Sequence, residues 1–185
     1  MDKDNYFKIY YSQYKLLEDK MIEVSEYVAI DPQNYSTFSS QFISLFISVC
    51  SEIDSLTRAY CNRTLGISKN SGIIERINAI AQKYPNLRNM RVDTIYPLEK
   101  ISLVPFTKVE SKTSSWWTDY NSVKHNRAEN DAESGRPNYT KANLKNTLQA
   151  IAALYLILLT ISRESGDTEK INFESRLFTD DIHSA

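Results

Sequence analysis

The apolar segment from Leu148 to Ile161, LQAIAALYLILLTI, constrains the fold of this chain more than any other feature. It is shorter than the roughly twenty apolar residues that cross a bilayer. It also continues directly from a polar helical sequence, Lys141 to Asn146. An apolar helix of this length is typical of the centre of a helical core, where other helices cover every side. We therefore predict a core helix over about 139–164 and no membrane-spanning segment.

Two longer segments near the amino terminus have apolar residues at helical spacing. The first covers about 4–29 and the second about 36–64, and Asp31 to Asn34, which includes Pro32, separates them. Two long helices joined by a short polar loop are expected to lie antiparallel. The apolar stripes are Tyr10, Tyr14, Leu17, Met21, Val24 and Val28 in the first segment, and Phe42, Leu45, Val49, Ile53, Leu56 and Tyr60 in the second.

The middle of the chain changes period. A shorter helix is predicted over 71–83 and another over 115–128, but residues 90–110 contain two prolines and several β-branched residues. We predict an irregular connection there with a small hairpin, Arg91–Tyr96 against Ile101–Val104, because proline is confined to strand edges and ends.

The chain has four glycines and five prolines, which is few for 185 residues and favours long helices over sandwiches and barrels. The predicted fold is all-α: an up-and-down bundle of four to five helices with a small irregular or β-hairpin insertion around 90–110. Residues 1–165 are expected to form a single domain. Residues 166–185 are expected to form an acidic tail that docks loosely or stays mobile.

Charge and cysteine content limit the classes of function. The net charge is −1, which gives no global argument for nucleic acid, although residues 83–145 contain eleven basic against seven acidic residues. That excess fits an anionic partner or simply a solvated surface. Cys50 and Cys61 would be about 16 Å apart in one helix, too far for a disulfide. With no signal-peptide pattern after Met1, a cytoplasmic location is predicted.

The richest motif is the segment from Trp116 to Arg127, WWTDYNSVKHNR, which contains both tryptophans and one of the two histidines. On a helix, Trp117, Asn121 and His125 are four residues apart and share one stripe. A second stripe, roughly opposite His125, contains Trp116, Tyr120, Val123 and Arg127. One face therefore presents an aromatic ring, an amide and an imidazole, and is the best candidate for chemistry.

This segment resembles a signature helix of the HEPN superfamily (higher eukaryote and prokaryote nucleotide-binding domains). That signature consists of Arg, a polar residue, three variable residues and His. Asn121 matches the polar position and His125 matches the His position, while Tyr120 stands at the position of the Arg. The pattern W-W-x-x-Y-N-x-V-K-H-x-R is similar to that of bacterial proteins of unassigned function, which we interpret as divergent HEPN-like domains. The resemblance implies a helical bundle, association with RNA or nucleotides, and metal-independent RNA cleavage in dimers of the catalytic members.

Under this hypothesis His125 is the general base, because an imidazole titrates near neutral pH. Lys124 or Arg127 stabilises the charge that develops on phosphate, and Asn121 orients the imidazole or binds a phosphate oxygen. Trp117 either stacks on a base or packs in the core. Glu52, on the flank of the second helix, is expected to pair with Lys124, His125 or Arg127 if it is buried.

The alternative belongs to another class. Asn121 and His125 would form a buried polar network with Asn143 or Asn146, inside a non-catalytic interaction module that dimerises. No metal-ligand spacing and no cofactor-binding motif is present in the sequence. We therefore expect no metal and no cofactor, with RNA or a nucleotide and a second copy of the chain as the predicted partners.

Overall fold

The computed structural model describes residues 3–95, 100–107, 116–162 and 174–180. It has five α-helices: α1 (Lys3–Ser25), α2 (Ser40–Thr64), α3 (Ile73–Lys83), α4 (Trp116–His125) and α5 (Leu144–Ser162). Three short strands form an antiparallel sheet: β1 (Val92–Thr94), β2 (Ser102–Leu103) and β3 (Phe178–Asp180). The protein is therefore mainly helical with a small sheet, and the predicted helix positions agree with the observed ones to within a few residues.

Helix α5 lies at the centre of the core, as its sequence predicts. Every residue from Ala150 to Ile161 is buried, and α1, α2 and α4 contact the helix. Within the described part of the chain, α5 is the one helix long and apolar enough to cross a membrane, and 83% of that apolar window is buried inside the protein. The Asn143 side chain accepts a hydrogen bond from the Asn146 N–H, which satisfies one of the free donors at the start of α5.

Helix α2 contacts each of the other four helices. It begins at an N-cap, where the Ser39 hydroxyl accepts from the Phe42 N–H, and it ends before Gly66, whose φ of 67° is the left-handed conformation common after a helix. Helices α1 and α2 are in contact, and the Tyr10 and Ser55 hydroxyls are hydrogen-bonded at 3.1 Å. Cys50 and Cys61 are both buried free thiols, which confirms that no disulfide joins them.

The predicted hairpin is present, since β1 pairs antiparallel with β2, Val92 opposite Leu103. The third strand is not predicted by the sequence. Residues 174–180 lie in the region predicted as a loosely docked or mobile tail, but β3 pairs with the other edge of β1, and Leu177 and Phe178 are buried. Two adjacent apolar residues and the second edge of β1 hold this segment against the rest of the protein.

Candidate functional site

Helix α4 is oriented by three residues of the stripe predicted opposite His125. Trp116, Tyr120 and Val123 are buried. The Trp116 indole donates to the carbonyl of Pro105 at 2.9 Å, and the Tyr120 ring lies edge-on to Phe46 of α2 at 6.1 Å. A buried indole normally needs such a partner for its N–H. These contacts fix the rotation of α4, so its opposite face must point away from the core.

The outward face carries the predicted functional stripe. Asn121 and His125 are exposed, and Trp117 is partly buried against Trp116 and Tyr120, with ring centroids 5.7 and 4.9 Å away. The helix is regular through His125, its last residue, so the three side chains follow one line on the surface. One part of the Trp117 ring therefore packs on the core, and another part remains accessible to solvent.

The two predicted cations lie on different sides of this line. The Lys124 ammonium is 5.5 Å from the centre of the Tyr120 ring. Burial raises the pKa of Tyr120, and the nearby Lys124 opposes that shift. Arg127 follows the end of α4, and its Nε donates to the Val123 carbonyl at 3.3 Å. Among the described residues, neither cation bonds to His125, so one protomer does not assemble the predicted catalytic group around the imidazole.

Arg127 instead forms one wall of an open groove along α2. The remaining lining consists of side chains on three successive turns of that helix: Ser40, Ile43, Ser44, Ile47 and Ser48. The serines are exposed and the isoleucines are half-buried, which gives a polar rim above an apolar floor. Sequence reasoning did not identify this groove. The available signal was serine at every fourth position of an otherwise apolar helix, which marks one continuous face.

Glu52 is only half-buried, and among the described residues it forms none of the ion pairs predicted for a buried carboxylate with Lys124, His125 or Arg127. Its burial raises the pKa of the carboxyl, which favours the neutral acid. The acidic residue that does acquire a buried cation is Asp54, half a turn further along α2, which bonds to the guanidinium of Arg76 from α3.

Asp119 of the motif and Asp131 of the following loop share one cation. Lys141 bridges Asp119 and Asp131 at 3.4 and 2.6 Å, and the Asn146 amide donates to Asp119 at 2.9 Å. The hydrogen bond from Lys141, with further bonds from Ser134, holds the pKa of Asp131 well below its usual range. This side of α4 therefore leaves Lys124 and Arg127 without a carboxylate partner in the described part of the chain.

The predicted buried polar network is wrong for a single protomer. Asn146 bonds to Asp119 rather than to Asn121 or His125, and both motif side chains are exposed. The network that joins α4 to α5 is the group Asp119, Asn146 and Lys141, which lies on a different flank of α4 from Asn121 and His125.

A further cation lies close to the start of α2. The Arg136 guanidinium stacks 5.2 Å above the ring of Phe38, which itself contacts Tyr139 edge-on at 5.3 Å. Arg136 is exposed, so its polar edge remains accessible to solvent. The loop that carries it is closed by an isolated bridge between Asn130 and Pro137. Arg127 and Arg136 thus both flank the amino-terminal half of α2.

The described residues contain no group of three or more His, Cys, Asp or Glu side chains that could hold a metal ion. Comparison of the chain with protein-family models, with curated proteins and with solved structures gives no match. Family and activity therefore rest on the residues of this chain alone.

Proposed function

We propose that this protein is a HEPN-like domain with an up-and-down helical bundle that binds RNA at the exposed face of α4 and cleaves it there without a metal. Its setting would be a bacterial defence or toxin-type system. The observation that carries the proposal is the exposure of His125 and Asn121 on one face, beside cations that pair with no carboxylate among the described residues. An imidazole placed in this way is free to meet a substrate, whereas a structural histidine would be enclosed and hydrogen-bonded.

In the proposed reaction, a neutral His125 ring nitrogen removes the proton from a ribose 2′-hydroxyl. The 2′-oxygen then attacks the adjacent phosphorus, and the bond from phosphorus to the 5′-oxygen breaks. The products are a 2′,3′-cyclic phosphate and a free 5′-hydroxyl, whose proton comes from water or from a second His125. Lys124 stabilises the negative charge that develops on the phosphate oxygens, and Asn121 hydrogen-bonds one of them.

In this proposal the two cations contact different phosphates of the RNA. Lys124 is adjacent to His125 in the chain and belongs to the same end of α4, so it serves the scissile phosphate. Arg127 faces the groove of α2, where it would hold a neighbouring phosphate of the same strand. The part of Trp117 that remains accessible offers a surface on which a base stacks. A single strand that crosses the end of α4 would meet all of these groups.

The site lacks a second histidine and lacks the signature Arg at Tyr120, so a dimer supplies the missing groups in this proposal. A two-fold axis near the carboxyl end of α4 would bring His125 next to its own copy. Sedimentation equilibrium of the full chain, with and without a 2′-deoxy-substituted RNA that binds but is not cleaved, measures whether the dimer exists. A monomer at all concentrations and in both conditions would remove this part of the proposal.

The test of the reaction is cleavage of several single-stranded RNAs in EDTA by wild type, His125→Ala and Gln82→Ala. Gln82 is exposed on α3, outside the proposed site, and serves as the matched control. We expect cleavage by wild type and the control, a 2′,3′-cyclic phosphate at the new end, and loss of activity in His125→Ala by at least about 100-fold. Equal cleavage by the folded His125→Ala protein would refute the catalytic role, and absence of cleavage by wild type would favour a non-catalytic interaction module.

One observation favours that second candidate function. Ile9 and Leu16, seven residues apart on α1, are 56% and 49% exposed, which is unusual for large apolar side chains on the same face of a helix. An interaction module would use such a face for a partner. Substitution of both residues by glutamine distinguishes the candidates, since it would change self-association of the interaction module without a direct effect on cleavage at α4.

A further inference from the structure

The carboxyl-terminal segment 174–180 is attached to the helices mainly through one buried carboxylate. Glu18 of α1 is fully buried, and its Oε1 accepts from the backbone N–H groups of Arg176 and Leu177 at 2.9 and 3.2 Å. The same oxygen accepts from the Ser175 hydroxyl and from the Tyr14 hydroxyl. A single oxygen therefore organises both the backbone and the side chains of the incoming segment.

Other contacts join the segment to α1, α5 and β1. The Glu174 carbonyl accepts from the Tyr11 hydroxyl at 3.3 Å, and Leu177 and Phe178 are buried. The Ser175 hydroxyl also accepts from the Phe178 N–H at 2.8 Å, which closes a tight turn before β3. The Phe178 ring packs on Tyr155 of α5 at 5.8 Å, and three residue pairs join β3 to β1. The Ile95 N–H donates to the Leu177 carbonyl at 2.9 Å. The helices contact one another over a larger apolar core centred on α5, to which the segment adds the side chains of Leu177 and Phe178.

We propose that residues 174–180 form a conformational latch that opens and recloses as one unit while the helices stay folded, with the Glu18 carboxylate as its catch. The unit is distinct because a polar network centred on one residue joins its backbone to α1, and its share of the apolar core is two side chains, Leu177 and Phe178, whereas each helix buries a longer apolar stripe. Segments with few buried contacts and their own hydrogen-bond network open at lower free energy than the core. An open latch uncovers the rings of Tyr14 and Tyr155 and one edge of β1, which is then available to another strand.

Acid should open this latch. Burial opposes ionisation of Glu18, but hydrogen bonds from Lys15, Ser175 and Tyr14 outweigh it, and the pKa of Glu18 lies below its usual value. A carboxyl with a lowered pKa stabilises the closed form above the pKa of the open form, and this stabilisation is lost as the pH falls through the lowered value. The protonated acid keeps fewer acceptor sites for the two backbone N–H groups.

Few other charges face Glu18, so its protonation should dominate the response. On α1, Lys15 is its ion-pair partner and the Tyr14 hydroxyl is a neutral donor. On the segment, the guanidinium of Arg176 is turned to Asp19 at the surface, 2.8 Å away. On α5, the titratable group that faces this region is Tyr155, whose ring lies 5.8 Å from the Tyr14 ring.

The test is amide hydrogen exchange resolved by residue in the full-length protein, with wild type, Glu18→Gln, Ser175→Ala and Asp19→Asn compared at neutral pH. We expect the amides of Arg176, Leu177 and Phe178 to exchange roughly tenfold faster or more in the first two variants, because each loses hydrogen bonds to or around a buried charge. Amides in the middle of α2 and α5 should keep their protection. Asp19→Asn, which removes only the exposed ion pair, should have little effect.

If Glu18→Gln does not fold, Ser175→Ala provides the test, since Ser175 lies on the segment itself and bonds to Glu18. Unchanged protection of residues 176–178 in the folded variants would overturn the proposal. Parallel loss of protection in α2, α5 and the segment would also overturn it, because the segment would then unfold only with the whole domain. In wild type, protection of residues 176–178, corrected for intrinsic exchange, should fall with acid before that of α5, and Glu18→Gln should lack this response. An identical pH response in wild type and Glu18→Gln would remove Glu18 as the catch.

Discussion

Two polar regions of this protein differ in the burial of their side chains: in one the polar groups are buried and paired, and in the other they are exposed. Arg76 of α3 is 1% exposed, and its guanidinium bonds to Asp54, to the Thr57 hydroxyl at 3.2 Å and to the Ser71 carbonyl. Asn121 and His125 on α4 are exposed and have no hydrogen-bond partner among the described residues. A buried charge must be partnered or the fold loses several kcal/mol. Exposed polar groups carry no such requirement, which leaves them available to a ligand.

The comparison separates residues that the fold needs from residues that it does not. Substitutions in the Arg76 region should therefore appear in the free energy of unfolding, and substitutions on the outer face of α4 should appear in binding or cleavage. Helix α4 contains both kinds of residue side by side. Trp116 is buried and supports the fold, whereas the adjacent Trp117 is partly exposed.

The largest effect is expected for Trp116→Ala. The substitution leaves a cavity in the core and an unpaired Pro105 carbonyl, and should lower the free energy of unfolding by about 3–5 kcal/mol. Trp117→Ala should cost about 1 kcal/mol, since much of that ring is already outside the core. Urea denaturation followed by circular dichroism measures both. Equal losses in the two variants would mean that Trp117 is as structural as its neighbour.

Arg76→Ala should cost about 3 kcal/mol, because it leaves the Asp54 carboxylate and the Thr57 hydroxyl without their buried partner. Arg58→Ala is the matched control. Arg58 also bonds to Asp54, at 2.7 Å, but its side chain is 46% exposed, so its loss should cost less than about 1 kcal/mol. A similar cost for both arginines, measured by the same denaturation, would contradict the division between buried and exposed charges.

Part of the separation between buried and exposed residues could be predicted from the sequence. Helix positions, the central place of α5 and the hairpin follow from apolar periodicity and from proline, and the buried stripe of Trp116, Tyr120 and Val123 follows from the helical repeat. The buried position of Arg76 was not predicted from the sequence. The missing signal was an arginine among isoleucines on the apolar face of α3, whose partner comes from a different helix and could not be named without tertiary structure.

The helix face that carries the candidate site was predictable from the sequence, but the tertiary contacts around that face were not. The face that carries Asn121 and His125 is exposed, and helical spacing alone placed those two residues together. The surroundings of Glu52 and the groove beside Arg127 depend on how α2 packs against α4. No local sequence pattern specifies that packing. The role of β3 escaped prediction for a similar reason, because its register depends on Glu18, more than 150 residues away in the chain.

RNA binding should respond to the two cations of α4 by smaller amounts. In Lys124→Gln and Arg127→Gln, the slope of the logarithm of affinity against the logarithm of salt concentration should fall by about 0.7 each, the value for one phosphate contact on a single strand. Fluorescence anisotropy with a 2′-deoxy-substituted RNA measures this without interference from cleavage. Lys145→Gln, an exposed cation at the start of α5, is the control. An equal change in all three variants would indicate diffuse attraction rather than binding at α4.

The smallest effect on stability is expected at the proposed catalytic residues themselves. Asn121→Ala and His125→Ala remove exposed side chains that have no partner in the described structure, so each should change the free energy of unfolding by less than about 0.5 kcal/mol. Urea denaturation at several protein concentrations measures this and also reports on a dimer, because a concentration-dependent midpoint reveals coupling to association. A loss of 2 kcal/mol or more at low protein concentration would mean that these residues support the fold of the single chain. A loss that appears only at high concentration would place them in the interface between two copies, where the proposed reaction needs them.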